Sequence, residues 1–160
     1  MAVTIAIETP LQDDVRELVS ELNVHLLPLS PLEFQFKMTV EQMAGADTTL
    51  FVARNEVGEA VGCGALKVIS DQQGEVKRMY TRPSVRGQRV GSALLEAITE
   101  LARQKGIGHL LLETGTGDGM AEAHRLYTRS GFNPRGPFLD YPDSEWSAFF
   151  EKHIDQPAVA

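Results

Sequence analysis

Glu75-Val-Lys-Arg-Met-Tyr-Thr-Arg-Pro-Ser-Val-Arg-Gly-Gln-Arg-Val-Gly91 is the stretch whose reading decides the fold. Residues Glu75 to Thr81 read as a strand, and Pro83 ends it. From Val90 the apolar positions Val90, Leu94, Ala97, Ile98 and Leu101 form one helical stripe. Lys105 and Gly106 supply the last-turn cation and the stop. A strand therefore hands over to a helix at Val85-Arg-Gly-Gln-Arg-Val-Gly91. The first N–H groups of a helix lack intrahelical partners, and the dipole there favours negative charge. Gly87 and Gly91 admit a ligand close to the backbone, and Arg86 and Arg89 add full charge. The turn predicts a pyrophosphate guest.

Upstream, Val3 to Glu8 alternate like a strand, and a helical pattern runs from Pro10 through Leu11, Val15, Leu18, Val19, Leu22 and Leu26. Leu27 to Phe34 is apolar but broken by Pro28 and Pro31, which predicts a loop. A short helix is expected over Val40 to Ala44. Strand-like runs follow at Thr49 to Arg54 and Ala60 to Ile69, separated by tight turns that favour antiparallel pairing. Downstream come a strand at His109 to Glu113, the loop Gly115 to Gly119, and a helix at Ala121 to Ser130. A strand pair at Phe132 and at Trp146 to His153 follows, with a frayed tail from Asp155. The expectation is one α/β (α+β) domain over residues 1–160. Its core is a mixed, largely antiparallel sheet of six to seven strands with helices on both faces.

Composition narrows the function. The chain has 160 residues, 42% hydrophobic and 23% charged, with a net charge of −7. That is enough apolar material for a core without disulfides or metal, and it disfavours nucleic acid as a partner. Lys77, Arg78, Arg82, Arg86 and Arg89 nonetheless crowd one short stretch, which suits a small anionic ligand. One cysteine, Cys63, excludes an internal disulfide framework and points to the cytoplasm. The N-terminal residues read as a strand rather than a secretory signal, and no apolar run approaches a membrane span.

The turn resembles the signature of the GCN5-related N-acetyltransferases (GNAT), Arg/Gln-x-x-Gly-x-Gly/Ala. Arg86 matches its first position and Gly91 its last; Arg89 stands where the middle glycine usually falls. Glu75 to Pro83 resembles the family's fourth strand, and Leu111-Leu-Glu-Thr-Gly115 its fifth. Ala123-His-Arg-Leu-Tyr-Thr-Arg-Ser-Gly-Phe132 resembles its fourth helix. The likeness covers about half the chain, roughly Glu75 to Phe132. It implies acetyl-CoA as co-substrate, held by Met79, Tyr80, Thr81, Arg86, Gly87, Gln88, Arg89, Val90, Gly91 and Ser92. Backbone N–H groups near Met79 and Tyr80 would polarise the thioester. Met120 departs from the family's frequent asparagine. A homodimer is a family expectation.

Acetyl transfer to an amine requires deprotonation of a group titrating near ~10, stabilisation of the thioester oxygen and a proton donor for the departing thiolate. The resemblance makes Tyr127 the leading acid and Glu75 the leading base. Glu75 would act directly or through a water, with Glu113 a weaker candidate beside the acceptor. The aromatic, acidic connection Pro137 to Glu145 offers Tyr141 and Asp143 to a cationic amine, and Phe34 resembles the opposite wall. The acceptor expected is a small or amino-acid-like amine. Cys63 is expected in the core. His25, His109, His124 and His153 fall on separate elements, so no metal is expected. Two alternatives stay open: an acyl-CoA-binding sensor without catalysis, and a nucleotide-binding protein. No Gly-x-x-x-x-Gly-Lys-Ser/Thr motif supports the latter.

Overall fold

In a computed structural model, which describes residues 3–155, hydrophobic periodicity resolves into seven strands and four helices. In chain order these are β1 (Thr4–Ile7), α1 (Asp13–Leu26), α2 (Val40–Met43), β2 (Thr48–Arg54), β3 (Ala60–Val68) and β4 (Gln73–Thr81). Then follow α3 (Val90–Gln104), β5 (His109–Gly115), α4 (Ala121–Arg129), β6 (Asn133–Arg135) and β7 (Ser147–His153). The expected tail lies, past Asp155, outside the described residues. The proline-broken segment forms two 3₁₀ turns, Leu27–Leu29 and Leu32–Phe34.

The strands lie in the order β1-β2-β3-β4-β5-β7-β6. Every ladder is antiparallel except β4–β5, the pair that α3 connects. Alternation along the strands divides the core in two. Leu94, Leu95 and Ile98 of α3 and Tyr127 of α4 pack with Val76, Leu110 and Leu112 on one face. Val15, Leu18, Val19 and Leu22 of α1 pack with Leu50, Val52, Cys63 and Tyr80 on the other. Arg54 pins α1 to the sheet edge through Glu8 at 2.7 Å and Asp14 at 2.6 Å.

Two irregularities of β4 open the molecule. The first is a bulge: Cys63 pairs with Tyr80 but Ala65 pairs with Lys77, so Arg78 and Met79 together face Gly64. Arg78 takes φ +57°, uncommon for a residue with a side chain. A Cβ on Gly64 would lie 2.4 Å from Met79 Sδ, so only glycine leaves room for the displaced methionine. The second is a splay. The β4–β5 ladder runs from Gln73↔His109 to Glu75↔Leu111 and stops, although both strands continue. Beyond Glu75 the β4 edge toward β5 has no strand partner.

Candidate active site

The splay leads into a cleft of about 1590 Å³ running from the loop after α1, across β4 and β5, to the start of α3. Ligand pockets usually occupy ~300–1,000 Å³. The cleft has room for a long cofactor and a second small molecule.

At one end stands the predicted phosphate turn. Gly87 adopts φ +83° with open space where a Cβ would be. Arg89, the residue before α3, is left-handed at φ +63°, ψ +22°, and its side chain makes no cap. Non-glycine residues pay roughly 1–2 kcal/mol for that conformation. Ala93 N–H bonds the Arg89 carbonyl, which leaves the N–H groups of Val90, Gly91 and Ser92 without helix partners. Arg86, Gly87, Arg89, Val90, Gly91 and Ser92 all line the cleft, a donor set and charge that fit a pyrophosphate. Gln88 does not line it. Its N–H bonds the Val85 carbonyl and its amide the Ser84 carbonyl, which corrects its expected contact. Gly91 serves packing as well: a Cβ there would lie 2.9 Å from Leu126 of α4.

At the centre, Met79, Tyr80 and Thr81 follow the open edge of β4, and Tyr127 faces them from α4. Tyr127 is held by the rings of Phe132 and Phe150. Among the described residues its hydroxyl has no hydrogen-bond partner, and burial pushes its titration well above the ordinary tyrosine range. Met120 also lines the cleft, where it packs over Gly115.

The two candidate bases separate. Glu113 of β5 lines the cleft, with Oε2 accepting from Ser147 Oγ at 2.7 Å. Burial raises its titration, with a smaller push from Glu75, against the Ser147 bond and the nearby Lys77 ammonium. Glu75 is 2% exposed and does not line the cleft. Its carboxylate accepts the Tyr141 hydroxyl at 2.5 Å and lies 3.5 Å from Lys77 Nζ. Last on the paired part of β4, it lies under the splay rather than in it.

Tyr141 likewise turns inward. It packs edge-on against Phe36, Phe138 and Phe149 and accepts a hydrogen bond from Lys77 at 2.8 Å. Asp143 is exposed and off the cleft. The expected aromatic and acidic amine cage therefore does not form. Phe34 lines the cleft. Lys77 and Arg78 of the cationic stretch line it too, as does Gln35, which residue type alone did not single out.

Cys63 is fully buried, as expected. Its thiol bonds the Arg78 carbonyl at 3.3 Å, and burial pushes its pKa up to about 12, which removes it as a nucleophile. The histidines are less scattered than their spacing suggests. Register sets His109 opposite His153, and with Glu151 their ligand atoms lie within 4.8 Å, a grouping able to hold a metal ion. It sits at the far end of β5 from Glu113, and Glu151 already pairs with Arg135 at 3.1 Å. No described helix is long and apolar enough to cross a membrane.

A splayed parallel pair with a phosphate turn at its mouth defines an acyl-CoA transferase fold. Residues 46–134 match the family model described as an acetyltransferase (GNAT) domain. The IAA acetyltransferase of Azospirillum brasilense is 43% identical over 95% of this chain and 98% of its own. A Klebsiella pneumoniae structure classed with the acyl-CoA N-acyltransferases superposes with TM-score 0.80 at 32% identity, covering 96% of this chain and 98% of its own. PaiA N-acetyltransferase from Thermoplasma acidophilum, solved with coenzyme A, shares the fold with TM-score 0.76 at 18% identity, covering 96% of this chain and 100% of its own. The chain belongs to the GNAT family of N-acetyltransferases.

Proposed function

We propose that the chain acts as a single domain that transfers an acetyl group from acetyl-CoA directly to a small amine bound beside it. The observation that carries this is the β4–β5 splay, which opens one cleft lined by the phosphate turn, Tyr127 and Glu113 together. The pyrophosphate is assigned to the free N–H groups of Val90, Gly91 and Ser92, with Arg86 and Arg89 supplying charge. The thioester arm follows the unpaired edge of β4 from Met79 to Thr81, as an added strand would. Backbone N–H groups near Met79 and Tyr80 are assigned to the thioester oxygen as it gains charge.

Glu113, rather than Glu75, is proposed as the base. It reaches the cleft, and a raised titration brings a carboxylate closer to the working pH of proton transfer. Glu75 instead anchors Lys77 and Tyr141. Tyr127 is assigned to the departing sulfur. Thiols titrate near ~8.5, below even an ordinary tyrosine. A tyrosine raised further by burial therefore serves as a hydrogen-bond donor to the thiolate more readily than as a full proton donor. Cysteine chemistry has no support, so no acetyl-enzyme is involved. Initial rates varied in both substrates should give intersecting double-reciprocal lines. Parallel lines, the mark of a ping-pong enzyme, would exclude direct transfer. IAA, named in the Azospirillum relative, belongs among the acceptors tried.

A further inference from the structure

The cation-rich stretch from Lys77 to Arg82 accounts for its charges unevenly. Lys77 meets Glu75, and Arg82 grips Glu21 through two hydrogen bonds of 3.1 and 2.8 Å. Arg78 is different. It is 8% exposed, and no carboxylate among the described residues pairs with it. Among the described residues, one Nη2 hydrogen bond to Asn23 Oδ1 of α1 is the only hydrogen bond its side chain makes, and Nε is buried without a hydrogen-bond partner. A guanidinium stripped of water without a counter-ion is costly. It lines the cleft on the α1 side, away from the phosphate turn.

A second orphan shares that wall. The Gln35 amide donates through Nε2 to the carbonyls of Leu26, Leu27 and Ser30, at 3.3, 3.1 and 2.6 Å. Three carbonyls fix which end of the amide is nitrogen. Its Oε1 is then left buried without a donor, in a residue that also lines the cleft. The acceptor wall thus holds a guanidinium whose Nε is unused and one unused acceptor, among the apolar side chains of Leu22, Leu26, Phe34 and Phe36.

We propose that Arg78 binds a carboxylate of the acceptor, so that the substrate class is a small amine carrying both a carboxylate and an apolar group, as an apolar amino acid does. The inference rests on the cleft being the acetyl-transfer site. The planar guanidinium suits a carboxylate, which can take Nε and a neighbouring N–H side by side. Gln35 Oε1 takes an N–H of the amine on its way to Glu113. The missing counter-ion of Arg78 arrives with the substrate.

The test compares L-phenylalanine, L-phenylalaninamide and phenethylamine as acceptors in steady-state CoA release from acetyl-CoA. The acid is expected to exceed both others by about tenfold to hundredfold in kcat/KM, the range for a hydrogen-bonded charge. Its amine is more basic than the amide's, so less of it is unprotonated at neutral pH, which works against that result. Arg78→Met should abolish the preference, chiefly through the KM of the acid, while Arg78→Lys retains part of it. Equal use of the three amines by the unaltered enzyme overturns the proposal whether or not either variant folds. So does an Arg78→Met loss that is the same for all three. Silence toward every amine tried would overturn this proposal and the acetyl-transfer reading together; transfer without carboxylate preference overturns this one alone.

Discussion

Tyr141 donates its hydroxyl to Glu75 Oε2 at 2.5 Å across 66 residues of chain, joining the β6–β7 connection to the base of the splay. Lys77 completes the group, 2.8 Å from the tyrosine oxygen and 3.5 Å from the carboxylate. Tyr141→Phe leaves a nearly buried carboxylate oxygen without its donor, at a cost of about 1–3 kcal/mol. For a domain of this size, each kcal/mol lowers Tm by roughly 2–4 °C. Thermal melts should record that loss while calorimetry shows acetyl-CoA binding unchanged. An unaltered Tm would mean that the triad does not hold the splay.

Glu113→Gln should separate activity from stability. Loss of a positioned base costs roughly 10²–10⁴-fold in kcat/KM. Burial raises the folded-state pKa of Glu113 above its unfolded value. The folded state therefore binds more protons, and stability falls as pH rises through the window between the two values. The penalty is fully present once the pH exceeds the folded-state value. The glutamine variant should then melt higher than the parent above that pH, and the difference should vanish in acid, below the unfolded pKa. In the parent, the acid limb of the pH–rate profile should lie above the ordinary glutamate range.

Tyr127→Phe keeps the ring that Phe132 and Phe150 grip and removes only the hydroxyl. Turnover should drop by about tenfold or more, with the KM for acetyl-CoA little changed, because the lost hydrogen bond matters only as thiolate forms. Acceptors with less basic amines should show the same loss, since Tyr127 acts on the sulfur and not on the amine. Unchanged kcat across the pH range would take Tyr127 out of the mechanism.

Arg89→Gly removes both a charge and a left-handed side chain. Stability should rise by about 1 kcal/mol as the strain at φ +63° is relieved. Acetyl-CoA should bind more weakly, and added salt should weaken the variant less than the parent. Arg86→Ala carries no such relief, since Arg86 is an ordinary extended residue at φ −63°, ψ +142°. It should weaken acetyl-CoA binding without a rise in Tm. Equal affinities in the parent and both variants would dissociate the turn from the cofactor.

The elements of the fold were legible because they rest on period and punctuation. The α3 stripe, the tight turn between β2 and β3 and the break at Pro83 each act within a few residues, and element bounds moved by no more than three positions. The turn that leads into α3 was legible for the same reason. The splay was not, since it depends on where two strands whose paired residues lie 36 positions apart cease to pair. Nor was the bulge, because nothing about Arg78 or Arg89 as a residue type announces a positive φ. Those two irregularities decide the acceptor side. They bring Glu113 into the cleft, leave Glu75 beneath it and strand Arg78 without a counter-ion. Tyr141 was read as an acceptor contact, and its inward bond to Glu75 and packing on Phe36 were not legible because both partners are remote in sequence.

The most direct measurement couples CoA release to mass spectrometry of the acceptor, for the parent and for Glu113→Gln, with acetyl-CoA binding followed by calorimetry. The expected result is one N-acetylated amine per CoA released by the parent. The variant should bind acetyl-CoA with the parent's affinity and turn over at least a hundredfold more slowly, the lower bound for base catalysis. Acetyl-CoA bound by the parent without amine-dependent release, or release by Glu113→Gln at the parent's rate, would contradict the account.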